Sequence, residues 1–257
     1  MRPRVFCLLS WYDESPTWLA AMVASVAPFT HHIVCLDGAY SLFPGGEPRS
    51  PAEQHVAIME AALGAGIGCT IHAPNDLWWG NEVEKRNALF QFGLLAAEPR
   101  RDWFLVMDAD EVVTQWPVDL LDRLARVEED ACTITQWEQS DPAGTEVMEE
   151  FYSRACCSPR GQYHHRKLFR AVPGLGVFEN HFRYQVRDAD GNLEKRLWGE
   201  EGPKWPPLAP AADMTQLRVR HRIIRRSLWR GEQQRGYYQA RDTMGVEQTE
   251  RPDVVEA

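Results

Sequence analysis

The chain has 257 residues, 44% of them hydrophobic and 25% charged, and a net charge of -9. These ordinary globular proportions exclude a disordered tail, a collagen-like chain and a small disulfide scaffold. No apolar run approaches the ~20 residues that span a bilayer, and the acidic balance argues against nucleic-acid binding by the whole surface.

Length and even composition predict one domain over 1–245, read as halves at 1–115 and 116–245, and a loose tail at 246–257. Val5 to Leu9 reads as a first buried strand rather than a leader, because Asp13 and Glu14 interrupt the apolar run. Ser15-Pro16 opens a helix with apolar Leu19, Met22, Val23 and Val26, which Pro28 ends. Ile33 to Leu36 is a second strand, stopping at Asp37-Gly38. Ser50 and Glu53 have capping-box spacing before a helix with apolar Val56, Met59 and Leu63. Cys69 to His72 is a third strand. Asn81 and Glu84 cap a helix carrying Lys85, Arg86 and Asn87, and Trp103 to Met107 is a fourth strand ending at Asp108-Ala109-Asp110-Glu111.

Beyond Glu111, a helix is expected over Leu120 to Val127 and a strand over Cys132 to Trp137. His165 to Val172 and Val177 to Val186 read as strands, forming a hairpin-like pair. Asp188 to Asn192 is a turn, and the prolines of 202–210 mark a loop. A basic helix closes the chain over Leu217 to Arg241, where eight Arg from Arg218 onward meet one Glu. Cys7, Cys35, Cys69 and Cys132 sit in apolar runs, and no C-x-x-C pair occurs. Free thiols and a cytoplasmic setting are therefore expected.

Strands alternating with helices predict a largely parallel α/β sheet, and such sheets bind ligands off the carboxyl ends of their strands. Three of the four ends are acidic, at Asp13-Glu14, Asp37 and Asp108 to Glu111. On extended chain, carboxylates at i and i+2 point to one side. Asp108 and Asp110 would then share one divalent ion, with a diphosphate completing its shell. A solvated strand end is the plain alternative.

This pattern resembles nucleotide-sugar-dependent glycosyltransferases of the GT-A fold, particularly the family 2-like group. The resemblance rests on Leu9 to Glu14, Leu36-Asp37-Gly38, Lys85-Arg86-Asn87 and Val106 to Glu111, in that order. It implies a Rossmann-like, mostly parallel sheet flanked by helices, with a C-terminal acceptor-side extension. It implies donor contacts from Trp11, Asp13, Glu14, Asp37, Arg86 and Asp108, with Asp37 on the nucleotide base, uracil for a UDP-sugar. Asp108 and Asp110 would hold the ribose and a Mn²⁺ or Mg²⁺. His221, as the C-terminal histidine, is the candidate third ligand. Asp13 stands where the family usually has Asn.

Read from chemistry alone, Arg86 suits either a phosphate or an i,i+4 ion pair with Glu82. Asp37 suits a turn before glycine. A displacement with inversion needs a base for the acceptor hydroxyl. Glu179 is the first candidate and Asp141 the second, with His181 as base or orienting group; retention of configuration needs no such base. The expected acceptor is a glycan, a protein or a modified DNA base. The 218–241 segment, where arginines alternate with Trp229, Tyr237 and Tyr238, reads as a solvated basic helix, as a contact to the donor phosphates, or as a nucleic-acid surface that would suit the last acceptor. The competing readings are a non-catalytic nucleic-acid-binding or degenerate transferase module, and a nucleotidyltransferase. The last wants a glycine-rich basic loop after the first strand, which Ser10 to Pro16 lacks.

Overall fold

The computed structural model describes residues 2–40, 47–73, 79–139, 162–178, 183–199 and 205–222. They build an α/β fold around an eight-stranded, mostly parallel sheet, compatible with a Rossmann-like architecture. Its first half runs β1 (Val5–Ser10), α1 (Pro16–Val26), β2 (His32–Leu36), α2 (Ala52–Gly64), β3 (Gly68–His72), α3 (Glu82–Ala96) and β4 (Trp103–Asp108). Then follow β5 (Glu111–Gln115), α4 (Leu120–Leu124), β6 (Ala131–Gln139), β7 (Gln162–Arg170), β8 (Leu175–Val177), β9 (Tyr184–Arg187), β10 (Leu193–Arg196) and β11 (Ala212–Arg222). The main sheet has the order β3-β2-β1-β4-β7-β6-β11-β5.

Strands β3, β2, β1 and β4 are all parallel. β1 and β4 are covered on both faces, so they are apolar at nearly every position rather than alternating. Val5, Cys7 and Leu9 face a core shared with α1, α2 and α4, while Phe6 and Leu8 face one shared with α3 and the second sheet. Right-handed crossovers explain this division. The chain steps outward through α1 and α2 on one face, then returns through α3 on the other to place β4 beside β1. On α3, a Cβ at Gly93 would lie 2.9 Å from the Leu8 side chain, so glycine sets this close approach of helix to sheet. The strand order reverses between β1 and β4, and there the acidic strand ends converge.

Several expectations are corrected. On α2 the apolar stripe Val56, Met59 and Leu63 is 49%, 57% and 82% exposed, while Gln54, Ile58 and Ala62 are buried. Helical spacing marks a stripe but not which stripe meets the sheet. Gln54 lies on the buried face, where it bonds Asp13 and Glu14. The capping box does not form: the helix starts after Pro51 with no side-chain cap, and the Ser50 hydroxyl is engaged elsewhere. The strands around 165–172 and 177–186 do not pair with one another. β7 lies antiparallel between β4 and β6, whereas β8 and β9 join β10 in a separate three-stranded sheet. The basic helix is not helical at its start, because Leu217 to Arg222 belong to β11, parallel to β6 and antiparallel to β5. The rest of that segment and the tail 246–257 lie outside the described residues.

Other expectations hold. Asn81 caps α3 by accepting from Glu84 N–H at 2.9 Å, and Glu84 accepts from Gly80 N–H at 2.8 Å. Cys7, Cys35, Cys69 and Cys132 are free thiols. Among the described residues, no helix is long and apolar enough to cross a membrane.

Candidate functional site

Three consecutive residues of α3 organise the strand ends. The buried Lys85 ammonium donates to the carbonyls of Trp11 and Gly38, each at 2.6 Å, tying the end of β1 to that of β2. Arg86 donates to Asp108 Oδ1 at 2.9 Å, while Glu82 is 3.9 Å away. Burial works against the Arg86 charge, but Asp108 heads the neighbours that hold its pKa well above the ordinary value. Asn87 donates to Val177 O at 2.9 Å and accepts from Val177 N–H at 2.8 Å, pinning the second sheet to α3 like an extra strand partner.

The acidic turn after β4 is built differently from an extended pair. The chain turns at Ala109-Asp110 and enters β5 at Glu111. The two aspartates therefore meet different partners. Asp108 lies between Arg86 and Lys167 Nζ, the latter 3.7 Å from Oδ2. Asp110 Oδ2 meets His221 Nε2 at 3.2 Å. This contact follows from register, since His221 of β11 stands opposite Glu111 of β5.

Glu111 supports the turn from below. It accepts from Asp108 N–H at 2.9 Å and from Gln136 Nε2 at 3.1 Å, and it forms a buried ion pair with Lys167. Burial pushes the Glu111 carboxyl up, against Lys167; burial likewise disfavours the Lys167 charge, but Glu111 and Asp108 hold that ammonium above the usual lysine range. His165, two residues before Lys167, is buried 4.9 Å from the Trp198 ring, and burial followed by Lys167 lowers its pKa to about 3, so it is neutral at physiological pH.

At the β1 end, Asp13 has φ of 46°, in the left-handed region that aspartate tolerates better than most residues. Its N–H donates to Ser50 Oγ at 2.8 Å. Gln54 donates to Asp13 Oδ1 at 3.2 Å and accepts from Glu14 N–H at 3.0 Å.

The expected donor residues divide accordingly. Asp13, Glu14, Arg86, Asp108, Asp110 and His221 are gathered around the strand ends. Asp37 does not present a free carboxylate to a base. It is 0% exposed and accepts from Gly38 N–H, Ser50 N–H, Ser50 Oγ and His55 Nε2, at 2.6–2.8 Å, which fills its four acceptor positions. The Trp11 ring is buried in the core against His55, 5.6 Å away, and meets the site through its carbonyl. Glu179, Asp141 and His181 lie outside the described residues, as do the arginines and aromatics of 223–241.

Ser50, Gln54, Lys85, Glu111 and Lys167 have structural roles here that sequence reading does not assign them. Lys85 and Glu111 carried a signal, as neighbours of Arg86 and Asp110; Ser50, Gln54 and Lys167 act through contacts with distant segments.

Among the described residues, no three His, Cys, Asp or Glu side chains are grouped as a ready-made metal cage. Asp110 and His221 nonetheless converge as one oxygen and one nitrogen donor. That mixed pair fits a transition ion such as Mn²⁺ better than Mg²⁺, which prefers oxygen throughout. Asp108, held between two cations, is less suited to direct ligation. No protein-family model matches this chain, and no curated protein matches it either.

Proposed function

We propose that the chain is a metal-dependent glycosyltransferase of the GT-A type, moving a sugar from a nucleoside diphosphate to an acceptor hydroxyl. The observation that carries this reading is the Asp110–His221 contact, beside the Arg86–Asp108 pair, where the strand order reverses. Asp110 and His221 would hold the divalent ion. A bound ion supplies neutralisation of the charge that develops on the departing diphosphate. Arg86 and Lys167 hold Asp108 in one orientation beside the Asp110–His221 pair. In the transfer, the bond from the anomeric carbon to the diphosphate oxygen breaks. A bond from the acceptor oxygen to that carbon forms, and the hydroxyl proton passes to a base. Glu179, Asp141 and His181 remain the candidates for that base and for orienting the acceptor.

The test is a thermal-shift screen of nucleotide sugars with and without Mn²⁺, followed by donor hydrolysis with the best ligand. A donor that raises the Tm only when metal is present, and is then hydrolysed, supports the reading. A protein that no donor stabilises with any divalent ion ends it.

A further inference from the structure

We infer that Ser50 is a positioning residue for donor binding: its hydroxyl is the link through which buried Asp37 holds the left-handed turn at Asp13. The inference rests on the reading above in taking Asp13 and Glu14 as part of the donor surface.

The hydrogen-bond directions follow from chemistry. A carboxylate only accepts, so Ser50 Oγ, 2.6 Å from Asp37 Oδ1, gives its single proton there. Its lone pairs are then left for Asp13 N–H, 2.8 Å away. The Ser50 N–H donates to Asp37 Oδ2 at 2.8 Å, so backbone and side chain of Ser50 are both anchored to one carboxylate. His55 must donate from Nε2 to the same oxygen, at 2.8 Å. Gln54 adds a second grip through Asp13 Oδ1 and Glu14 N–H. Ser50 and Gln54 are buried, so water is poorly placed to replace either contact. The conformation of Asp13 and Glu14 is therefore imposed by the segment leading into α2. Asp37 acts on the donor side indirectly, through Ser50, rather than as an acceptor for a base.

Ser50→Ala removes the acceptor for Asp13 N–H and one donor to Asp37 together. Three measurements test the inference: UDP affinity in the presence of Mn²⁺, Mn²⁺ affinity without nucleotide, and amide exchange at Asp13. Asp102→Asn is the control, because Asp102 binds Arg4 ahead of β1, at the opposite end of the strands. Ser50→Ala should weaken UDP binding about tenfold or more, leave Mn²⁺ affinity unchanged and accelerate exchange at Asp13. Asp102→Asn should lower the Tm while binding UDP like wild type. UDP binding by Ser50→Ala that matches wild type, or an Asp13 amide as protected as before, overturns the inference. Wild-type protein that binds neither UDP nor any other nucleoside diphosphate with a divalent ion overturns the proposed function instead, and the exchange measurement still decides what Ser50 does.

Discussion

His221 Nε2 stands 3.2 Å from Asp110 Oδ2, although 111 positions separate the two residues in the chain. The contact exists because β11 returns antiparallel to β5 and sets His221 opposite Glu111. Asp110→Ala and His221→Ala should each lower Mn²⁺ affinity at least about tenfold, with the fold kept. Titration calorimetry on both variants checks this. Two variants that bind Mn²⁺ like wild type would remove the metal from the site.

Lys167 neutralises Glu111 inside the protein, where both are buried. Breaking such a pair from one side leaves a charge without compensation. Lys167→Met should therefore destabilise by about 3–5 kcal/mol in denaturant unfolding. The double variant Lys167→Met/Glu111→Gln should recover a substantial part, because the amide can still accept from Asp108 N–H. A double variant whose destabilisation equals the sum of those of Lys167→Met and Glu111→Gln would show that the pair is not coupled.

Asp102 ties the amino ends of β1 and β4 by accepting from the backbone and side chain of Arg4, from Glu98 N–H and from Arg101. Burial alone would raise its pKa, but the bonds from Arg4, Arg101 and the backbone outweigh burial and hold it at about 2, below its ordinary 3.8. A depressed carboxylate contributes stability that is fully present above about pH 4 and is lost as pH falls toward 2. Wild-type unfolding free energy should decline across that window more steeply than that of Asp102→Asn. Parallel pH profiles for the two proteins would contradict this.

The rotation of α2 can be measured directly. Ile58→Ala should destabilise by about 2–4 kcal/mol, since Ile58 is fully buried. Leu63→Gln and Met59→Gln should each stay within about 0.5 kcal/mol of wild type. The reverse ranking would mean that the helix packs its other face on the sheet.

Much of the fold was legible locally. The strands beginning at Val5, Ile33 and Trp103 are recognisable because a parallel strand covered on both faces is apolar at nearly every position. Their acidic ends mark the site because the run stops there. The Asn81–Glu84 cap is legible for the same reason, since both partners lie within one helical turn. The hairpin expected after His165 failed because neighbouring strands need not pair. The basic helix failed at its start because Leu217 to Arg222 take their conformation from β5 and β6 rather than from local propensity.

By itself the sequence determined the run of strands and helices, the acidic character of the strand ends and the presence of Lys85, Arg86 and Asn87 ahead of β4. Only the tertiary structure decided that Asp110 meets His221, that Asp108 lies between Arg86 and Lys167, and that Ser50 abandons a helix cap to join Asp37 and Asp13. The physical reason is that periodicity constrains neighbours within a few residues. Contacts across 37 or 111 positions depend on strand register and helix rotation, and these are settled by the packing of the whole chain.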